Sequence, residues 1–347
     1  GMANDTMKTQ FSWHDKQEKL RACRFEKRQR EILTNGKGTN VMNYLIIGPG
    51  GTGGVVGGFL AAAGRDVTFF ARGAHLAAMR ENGLRLKSGL LGDVTVKPVK
   101  AAGTADELPK ADVIFVCVKG YSLDEIIPAV KAAAKPDSVI IPVLNLFGIG
   151  DLLAGKLGEG FHVMDGCIYV TSFISAPGEV TQQASLLKLV FGPREGQEDP
   201  PHLDGILADL EAAKVPAVYT KEIRRETFKK FAFISPFAAA CALYGADAAQ
   251  FQKEGEARET FRALASEMKA LGERLGLSPG DAFVEKSMKT VDHFQPDVTA
   301  SMERDLRAGK PAETDNLVCE VVRLCDRFGI EAPAYRKAAE KLCPKTN

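Results

Sequence analysis

The chain has 347 residues, a formal net charge of +1 at pH 7 and an apolar fraction of 45%. This length is sufficient for two domains with separate cores, and the composition is typical of a globular protein. The near-zero net charge provides no overall field that would attract nucleic acid or a membrane surface. The longest apolar stretch, residues 232–243, contains Ser235 and Pro236 and is too short to span a bilayer. We therefore expect neither nucleic acid nor a membrane as a partner.

The seven cysteines and five histidines show no spacing typical of a metal site, since neither a CxxC nor an HxxxH pair occurs. We expect no secretion signal, and free thiols in a reducing cytoplasm are the simplest interpretation of the cysteines. The histidines are interpreted as surface or capping residues. The sequence therefore predicts a cytoplasmic protein without a bound metal.

The first 41 residues carry nine Lys or Arg against five Asp or Glu, a net charge of +4. Residues 15–33 are typical of a charged helix, but their apolar positions are too few for a core-facing side. We expect residues 1–41 to be an accessory extension, or upstream sequence from a misplaced start. A basic arm that binds a partner is the alternative.

Residues 44–73 contain an apolar run, a glycine cluster, a helix-like stretch and a second apolar run. This is the order of a dinucleotide-binding strand, turn, helix and strand. In such a unit Gly48 permits the tight turn, Gly50 lets the backbone approach a pyrophosphate, and Gly53 lets the helix pack closely on the strand. Gly51 lies in the same turn, where the free N–H groups of a helix start face the phosphates. A purely structural glycine-rich turn is the alternative.

The residues at the end of the second apolar run distinguish an NAD site from an NADP site. NAD sites usually have an acidic residue there, whereas this chain has Phe70, Ala71 and Arg72, and Asp66 precedes the run. A guanidinium matches a 2′-phosphate in charge and geometry. We therefore predict NADPH as the cofactor, with Arg72 contacting the phosphate. An ordinary solvated arginine is the alternative.

The next segments alternate between helical and strand patterns up to about residue 220. Helices are predicted at Ala74–Asn82, Leu123–Ala134 and Leu203–Ala213, and strands at Leu84–Lys87, Val94–Val96, Val113–Val118, Ser138–Leu144 and Ala217–Tyr219. Residues 162–192 are typical of antiparallel strands with a turn at Pro177 and Gly178. The alternation predicts an α/β, Rossmann-type parallel sheet domain.

From Lys221 onward the pattern is almost continuously helical, which predicts an all-helical C-terminal domain. The predicted helices are Lys221–Tyr244, Gly255–Leu275, Pro279–Val291, Val298–Ala308, Glu313–Phe328 and Ala334–Leu342. Ser278 and Pro279 have the residue types of an N-cap and a first helical position. We expect a sheet domain over residues 42–220 and a helical domain for substrate binding and dimerisation over residues 221–347.

Several stretches from residue 42 onward resemble the ketopantoate reductases, the NADPH-dependent 2-dehydropantoate 2-reductases. In chain order they are IIGPGGTGG, FFARGAHLAAMRENGLRL, VIFVCVKGYSLDE, VLNLFGIG, ETFKKFAF and SMERDLRAGKPAETDN. The resemblance implies a Rossmann domain followed by a helical domain, with the active site between them.

The resemblance places Lys230 at the position of the family's general acid. A lysine suits that role when burial or a nearby cation lowers its pKa. The alternative is a surface lysine paired with Glu226 one helical turn earlier.

The resemblance also assigns four residues to the substrate and cofactor cleft. It matches Glu313 to a glutamate that contacts the substrate hydroxyl, and Ser301 to a serine near the substrate carboxylate. Lys119 and Asn145 each follow a predicted strand, where ligands bind in open α/β folds, and are expected to contact both cofactor and substrate. Each residue also has an alternative interpretation. Glu313 is then an acid that complements a helix dipole, and Ser301 is a surface residue. Lys119 is a solvated residue at a strand end, and Asn145 forms a turn.

The long helix departs from the family pattern. The family has asparagines four and eight residues after the lysine, and this chain has Ile234 and Ala238 there. Ser235 and Pro236 are a candidate replacement for part of the lost polarity, if the helix kinks at that point. Where the family usually has an Asn-Gly pair after the fifth strand, this chain has Asn145 followed by Leu146.

We therefore expect NADPH-dependent reduction of 2-dehydropantoate to pantoate, a step of pantothenate biosynthesis, with a small 2-oxo acid as the substrate and a homodimer as one assembly state. One alternative is a reductase of a less polar 2-oxo acid or ketone, since apolar side chains replace the two amides. The other is a non-catalytic NADPH-binding sensor.

Overall fold

The structure is a computed structural model that describes residues 41–343. The predictions for residues 1–40 concern a segment outside the described residues. Within residues 41–343, the strands form one ten-stranded sheet. They are β1 (Asn43–Ile47), β2 (Asp66–Phe70), β3 (Leu84–Ser88), β4 (Gly92–Val96), β5 (Lys100–Ala102), β6 (Ala111–Val116), β7 (Ala134–Pro142), β8 (His162–Ala176), β9 (Glu179–Pro193) and β10 (Ala217–Tyr219).

The strand order is β4-β3-β9-β8-β7-β6-β1-β2-β5, and β10 pairs with β9. From β5 to β8 every neighbouring pair is parallel, so these strands end at one edge of the sheet. The long hairpin of β8 and β9 is antiparallel and turns at Pro177 and Gly178. The structure confirms the parallel sheet and the predicted antiparallel extension.

Helices cover both faces of the sheet. They are α1 (Gly51–Ala62), α2 (Gly73–Asn82), α3 (Ile127–Ala133), α4 (Ile149–Leu157) and α5 (Leu203–Ala212). Side chains of β1 alternate between the faces. Ile46 packs with α1 in one core, whereas Ile47 packs with Val130 of α3 and Leu153 of α4 in the other. Burial on both faces explains the nearly continuous apolar runs of the central strands.

The second half is helical, as predicted. It contains α6 (Ile223–Tyr244), α7 (Ala248–Phe251), α8 (Glu256–Arg274), α9 (Phe283–Asp292), α10 (Ser301–Arg307), a π-helical turn (Asp315–Cys319), α11 (Glu320–Phe328) and α12 (Pro333–Leu342). The 22-residue helix α6 carries the central part of this core. Phe237 of α6 makes edge contacts with Phe251 and Phe261.

Helix α1 has glycines on two neighbouring faces. A Cβ at Gly53 would lie 2.3 Å from the carbonyl oxygen of Gly48, and one at Gly57 would lie 2.5 Å from Ile46. On the other side, a Cβ at Gly54 would lie 2.6 Å from Val180, and one at Gly58 would lie 2.7 Å from Leu86. The helix is therefore packed between β1 and the β3–β9 part of the sheet too closely for larger residues.

Two local predictions were wrong. Ser278 does not cap a helix that begins at Pro279. Its hydroxyl accepts a hydrogen bond from the Gly280 N–H, and because Gly280 has φ +98°, the helix begins only at Phe283. The prediction of free thiols throughout was also wrong, because packing brings Cys319 and Cys343 together as a disulfide with a Cα–Cα distance of 6.0 Å.

The prediction that the histidines are surface or capping residues is wrong for His75. His202 is the N-cap residue of α5 and His293 is the C-cap residue of α9, whereas His75 is partly buried and bonded to two separate turns. In the part of the chain that the structure describes, no helix is long and apolar enough to cross a membrane.

Candidate active site

Four predicted site positions follow parallel strands at the same edge of the sheet. The glycine turn follows β1, Arg72 follows β2, Lys119 follows β6 and Asn145 follows β7. Ligands of open α/β sheets bind outside the carboxyl ends of the strands. This edge is therefore the candidate site, and it faces residues of the helical half.

The turn after β1 is tight because of two glycines. Gly48 has φ +84°, and a Cβ on it would lie 2.8 Å from the side chain of Val118. A Cβ on Gly53 would lie 2.3 Å from the Gly48 carbonyl oxygen, so α1 can begin immediately beside the strand. Both positions therefore exclude any residue with a side chain.

The start of α1 fits a phosphate group. A Cβ on Gly50 would meet no atom within 4 Å, so the space beside this backbone is open. Gly51 packs beneath the backbone of Ser172, where a Cβ would lie 2.5 Å from the carbonyl oxygen. The helix has no side-chain N-cap hydrogen bond and no acidic residue in its first turn. Its first N–H groups and its dipole are therefore available to an anion.

Arg72 lies between β2 and α2, at the end of β2 that adjoins the glycine turn. Its side chain is 79% exposed, and its guanidinium donates to Glu125 across 2.9 Å. Asp66 lies at the opposite end of β2, where it binds Lys100 at 2.7 Å. The carboxylate typical of ribose binding is therefore absent from residues 70–72, and an exposed cation lies at that end of β2.

Lys230 extends from α6 to the sheet edge. Its ammonium donates to Asn145 Oδ1 at 2.8 Å and to the Ile168 carbonyl oxygen at 2.5 Å. It also lies 5.6 Å from the centre of the Tyr169 ring, within the range of a cation–π contact. The alternative of an ion pair with Glu226 is wrong, because Glu226 binds Lys229 instead.

Burial lowers the pKa of Lys230 to about 8, and the nearby Cys167 and Glu313 only partly offset this effect. An ammonium with that pKa holds its proton at neutral pH and releases it more readily than an exposed lysine. The position can therefore supply a proton at the sheet edge.

Glu313 lies two residues before the π-helical turn and is only 4% exposed. Its Oε1 accepts a hydrogen bond from the Gly120 N–H at 3.2 Å, and its Oε2 lies 3.5 Å from Lys119 Nζ. Asn316 packs directly against Gly120, where a Cβ would collide with the amide. The helical half and the end of β6 are therefore joined at Glu313.

Asp305 is a contact that we did not predict from the sequence. Its carboxylate lies 3.2 Å from Lys119 Nζ, so Lys119 contacts two acids of the helical half. Burial lowers the pKa of Lys119, but Glu313 and Asp305 outweigh this effect, so the pKa is raised and the group stays charged. Asp305 lies four residues after Ser301, so both residues are on the same side of α10. This spacing is the sequence signal that could have identified Asp305 as a residue facing the site.

The positions on α6 where the family has asparagines carry apolar side chains that are partly or fully buried. Ile234 is partly buried, and Ala238 is 3% exposed. Ser301 is the first residue of α10 and is partly buried. Ser235 does not replace the missing amides, because its hydroxyl is fully buried and bonded to the Leu317 carbonyl oxygen at 2.7 Å and to the Tyr335 hydroxyl.

Within the described residues, one group of possible metal ligands occurs away from this edge. Asp112, Asp137 and His202 lie close enough to surround an ion. The Lys135 ammonium contacts both carboxylates, and His202 Nε2 lies 3.0 Å from Asp137 Oδ2. Ion pairs therefore account for this group.

Two family models together match most of the chain. The model described as ketopantoate reductase PanE/ApbA matches residues 44–196, and the model of its C-terminal part matches residues 222–343. The chain belongs to the ketopantoate reductase family. It is therefore an oxidoreductase of a family that uses nicotinamide dinucleotides.

Curated relatives and a solved structure extend this match over the full family length. The 2-dehydropantoate 2-reductase of Mesorhizobium japonicum is 28% identical over 87% of this chain and 99% of its own length. The uncharacterized oxidoreductase YkpB of Bacillus subtilis is 27% identical over 84% of this chain and 95% of its own. A ketopantoate reductase crystal structure from Ralstonia eutropha JMP134 has a TM-score of 0.78 at 26% identity, covering 87% of this chain and 97% of that one.

Proposed function

We propose that this ketopantoate reductase family member reduces 2-dehydropantoate to pantoate with NADPH in the cytoplasm, a step of pantothenate biosynthesis. The observation that carries the proposal is the position of Lys230. Its partly buried ammonium reaches from the helical half to Asn145 at the carboxyl edge of the sheet. A proton donor is therefore held where an open α/β fold binds its ligand.

The glycine turn and Arg72 are the proposed cofactor contacts. The open backbone at Gly50 and the uncapped start of α1 accommodate the pyrophosphate. The Arg72 guanidinium is free to exchange its exposed pair with Glu125 for the 2′-phosphate, which it can bind through two parallel hydrogen bonds. When bound, the reduced nicotinamide supplies the hydride that is added to the substrate carbonyl carbon.

Lys230 is the proposed general acid. As the carbonyl becomes an alkoxide, the oxygen gains negative charge and takes a proton from Nζ. The Asn145 and Ile168 oxygens hold the ammonium in place before this transfer. After it, the amine is neutral and regains a proton from solvent.

Glu313, Ser301, Asn145 and Lys119 are the proposed substrate contacts. The buried Glu313 carboxylate is an acceptor for the substrate hydroxyl, while Ser301 and Asn145 donate to the substrate carboxylate. Lys119 contributes positive charge beside both ligands, since Glu313 and Asp305 keep it protonated. These groups orient the carbonyl so that its oxygen faces Lys230.

A second candidate, the reduction of a less polar 2-oxo acid or ketone, is favoured by α6. Ile234 and Ala238 occupy the positions where the family has amides, and Ser235 is held in the helical core by Leu317 and Tyr335. An unpaired substrate hydroxyl beside these side chains would weaken binding.

An assay of NADPH oxidation separates the two candidates. The purified chain is given 2-dehydropantoate and a panel of 2-oxo acids of increasing apolar size. Highest kcat/KM for 2-dehydropantoate supports the first candidate, and highest kcat/KM for an apolar acid supports the second. Failure to oxidise NADPH with any of them would contradict both and favour a sensor.

We also propose that the chain forms a homodimer. A ketopantoate reductase from Staphylococcus aureus with the same fold, at a TM-score of 0.72 and 17% identity, is dimeric. Light scattering on the purified protein tests this proposal, since a monomer mass at all concentrations would contradict it.

A further inference from the structure

His75 joins three segments around the glycine turn. It lies in the first turn of α2, three residues after Arg72. Its Nε2 is 2.9 Å from the Pro49 carbonyl oxygen, and its Nδ1 accepts a hydrogen bond from the Gly178 N–H at 3.0 Å. One imidazole therefore links the turn after β1, the start of α2 and the turn of the β8–β9 hairpin.

These two hydrogen bonds define the protonation state of the ring. A backbone N–H can only donate, so Nδ1 must present its lone pair to Gly178. A carbonyl oxygen can only accept, so Nε2 must carry the hydrogen that faces Pro49. Both bonds are made only by the neutral imidazole with hydrogen on Nε2. A proton on Nδ1 would face the Gly178 N–H and break that contact.

The linked segments are those that shape the phosphate site. Pro49 lies between Gly48 and Gly50 of the glycine turn. The hairpin covers the start of α1, where Gly51 packs under Ser172. Gly178 itself packs against α2, where a Cβ would lie 3.0 Å from Ala78. Loss of the His75 contacts therefore removes the link between the hairpin turn and Pro49, while packing at Gly51 continues to hold the hairpin on the start of α1.

Several charged groups on these segments are engaged in ion pairs, and Glu81 of α2 is exposed. On α2 and the residue before it, Arg72 binds Glu125 and Arg80 binds Glu107. On the hairpin, Glu179 binds Lys87 and Arg85. The turn from residue 48 to residue 52 has no titratable side chain. Burial lowers the pKa of His75, and the bond to Pro49 offsets this only in part.

We propose that the neutral imidazole of His75 positions the glycine turn for the dinucleotide phosphates, so that protonation of His75 weakens cofactor binding. His75 acts here as a positioning residue, because it acts through Pro49 and Gly178. The inference rests on the proposed function, since it assumes that this turn binds a dinucleotide.

Calorimetric titration of the full chain with NADH tests the inference. NADH is the probe because the 2′-phosphate of NADPH itself titrates near pH 6. We expect the dissociation constant of the wild type to rise severalfold, but by less than about tenfold, between about pH 8 and about pH 5.5, because a ring with a lowered pKa is only partly protonated at the lower pH. His75→Gln keeps a donor toward Pro49 but does not titrate, so its dissociation constant should stay nearly constant over this range.

His202→Gln is the matched control, since it makes the same substitution at a histidine that contacts Asp137 away from the glycine turn, and it should keep the wild-type pH dependence. Equal pH dependence in the wild type and His75→Gln would overturn the inference. Absence of NADH binding by the wild type at both pH values, with NADPH also not bound, would instead overturn the proposed function.

A second measurement needs no variant. NMR titration of the histidine ring protons should give His75 a pKa below the ordinary value of a histidine, and NADH should lower it further. Linkage requires this, because a ligand that prefers the neutral ring must disfavour its protonation. A His75 pKa that NADH leaves unchanged would overturn the inference even if the variant does not fold.

Discussion

The Lys230 ammonium donates a hydrogen bond to Asn145 Oδ1 across 2.8 Å, although 85 positions separate the two residues in the chain. Asn145 follows a strand of the sheet, and Lys230 belongs to the first helix of the second half. Because each residue is supplied by a different half, the site exists only when both halves are folded and in contact. The predictions below test the chemical roles of these residues.

Replacing Lys230 with alanine should lower kcat for reduction by about 10²-fold or more, because the alkoxide loses its proton donor. Lys229→Ala is the matched control. Lys229 is adjacent in sequence but is exposed and bound to Glu226, so its loss should leave the rate close to that of the wild type. Steady-state NADPH oxidation measures both. Equal rates for Lys230→Ala and the control would remove Lys230 from the mechanism.

The rate of reduction should fall as pH rises through the pKa of Lys230, which burial lowers to about 8. The protonated amine is the active form for reduction, and the neutral amine is the active form for the reverse oxidation. Oxidation of the hydroxy acid should therefore become faster over the same pH range. Profiles of kcat against pH in both directions check this, and profiles that rise together would contradict it.

Arg72→Ala should weaken NADPH binding about tenfold or more and leave NADH binding nearly unchanged, because only NADPH has a 2′-phosphate. Arg80→Ala is the control, since Arg80 lies on the adjoining helix α2 and binds Glu107. Calorimetric dissociation constants for the two cofactors measure the effect. An equal loss for NADPH and NADH would contradict the phosphate assignment.

Glu313→Gln should lower kcat/KM about tenfold or more, because a neutral amide accepts the substrate hydroxyl less strongly than a carboxylate. The amide oxygen can still accept the Gly120 N–H, so the contact between the halves is expected to persist. Thermal unfolding should therefore remain close to that of the wild type. A kcat/KM equal to the wild-type value would show that Glu313 has only a structural role.

The disulfide between Cys319 and Cys343 should stabilise the helical half. Closing a loop over a separation of 24 residues contributes about 3.5 kcal/mol in the chain-entropy model. A reducing agent should therefore lower the Tm of the wild type but leave that of Cys319→Ser unchanged. The two variants Cys319→Ser and Cys343→Ser should have equal Tm values, since each lacks the same bond. Thiol titration checks the bond directly, since two additional free thiols in the untreated protein would contradict it.

Local signals in the sequence were sufficient for the order of most elements. The glycine cluster predicted the first strand, turn and helix because each glycine has a local steric role, which the structure shows at Gly48 and Gly53. Strand β5 and helix α4 were not predicted. The first has only three residues, and the second begins after Gly148 with little periodic pattern to distinguish it.

Contacts between distant segments could not be predicted in the same way. The pairing of Cys319 with Cys343 depends on the packing of α12 beside the π-helical turn. The bond from Ser235 to Leu317 depends on which side of α6 faces that turn, and the sequence left this open. The contact of Asp305 with Lys119 likewise requires the two halves to be in place.

The glycine-rich helix α1 has a consequence for how mutations elsewhere would act. Glycine disfavours a helix by about 1 kcal/mol per residue relative to alanine, so four such residues leave this segment with little helical preference of its own. Its shape depends on the two apolar walls that enclose it, one at Ile46 and the other at Val180 and Leu86. Substitutions that loosen either wall should therefore impair nucleotide affinity from a distance, even where they touch no ligand.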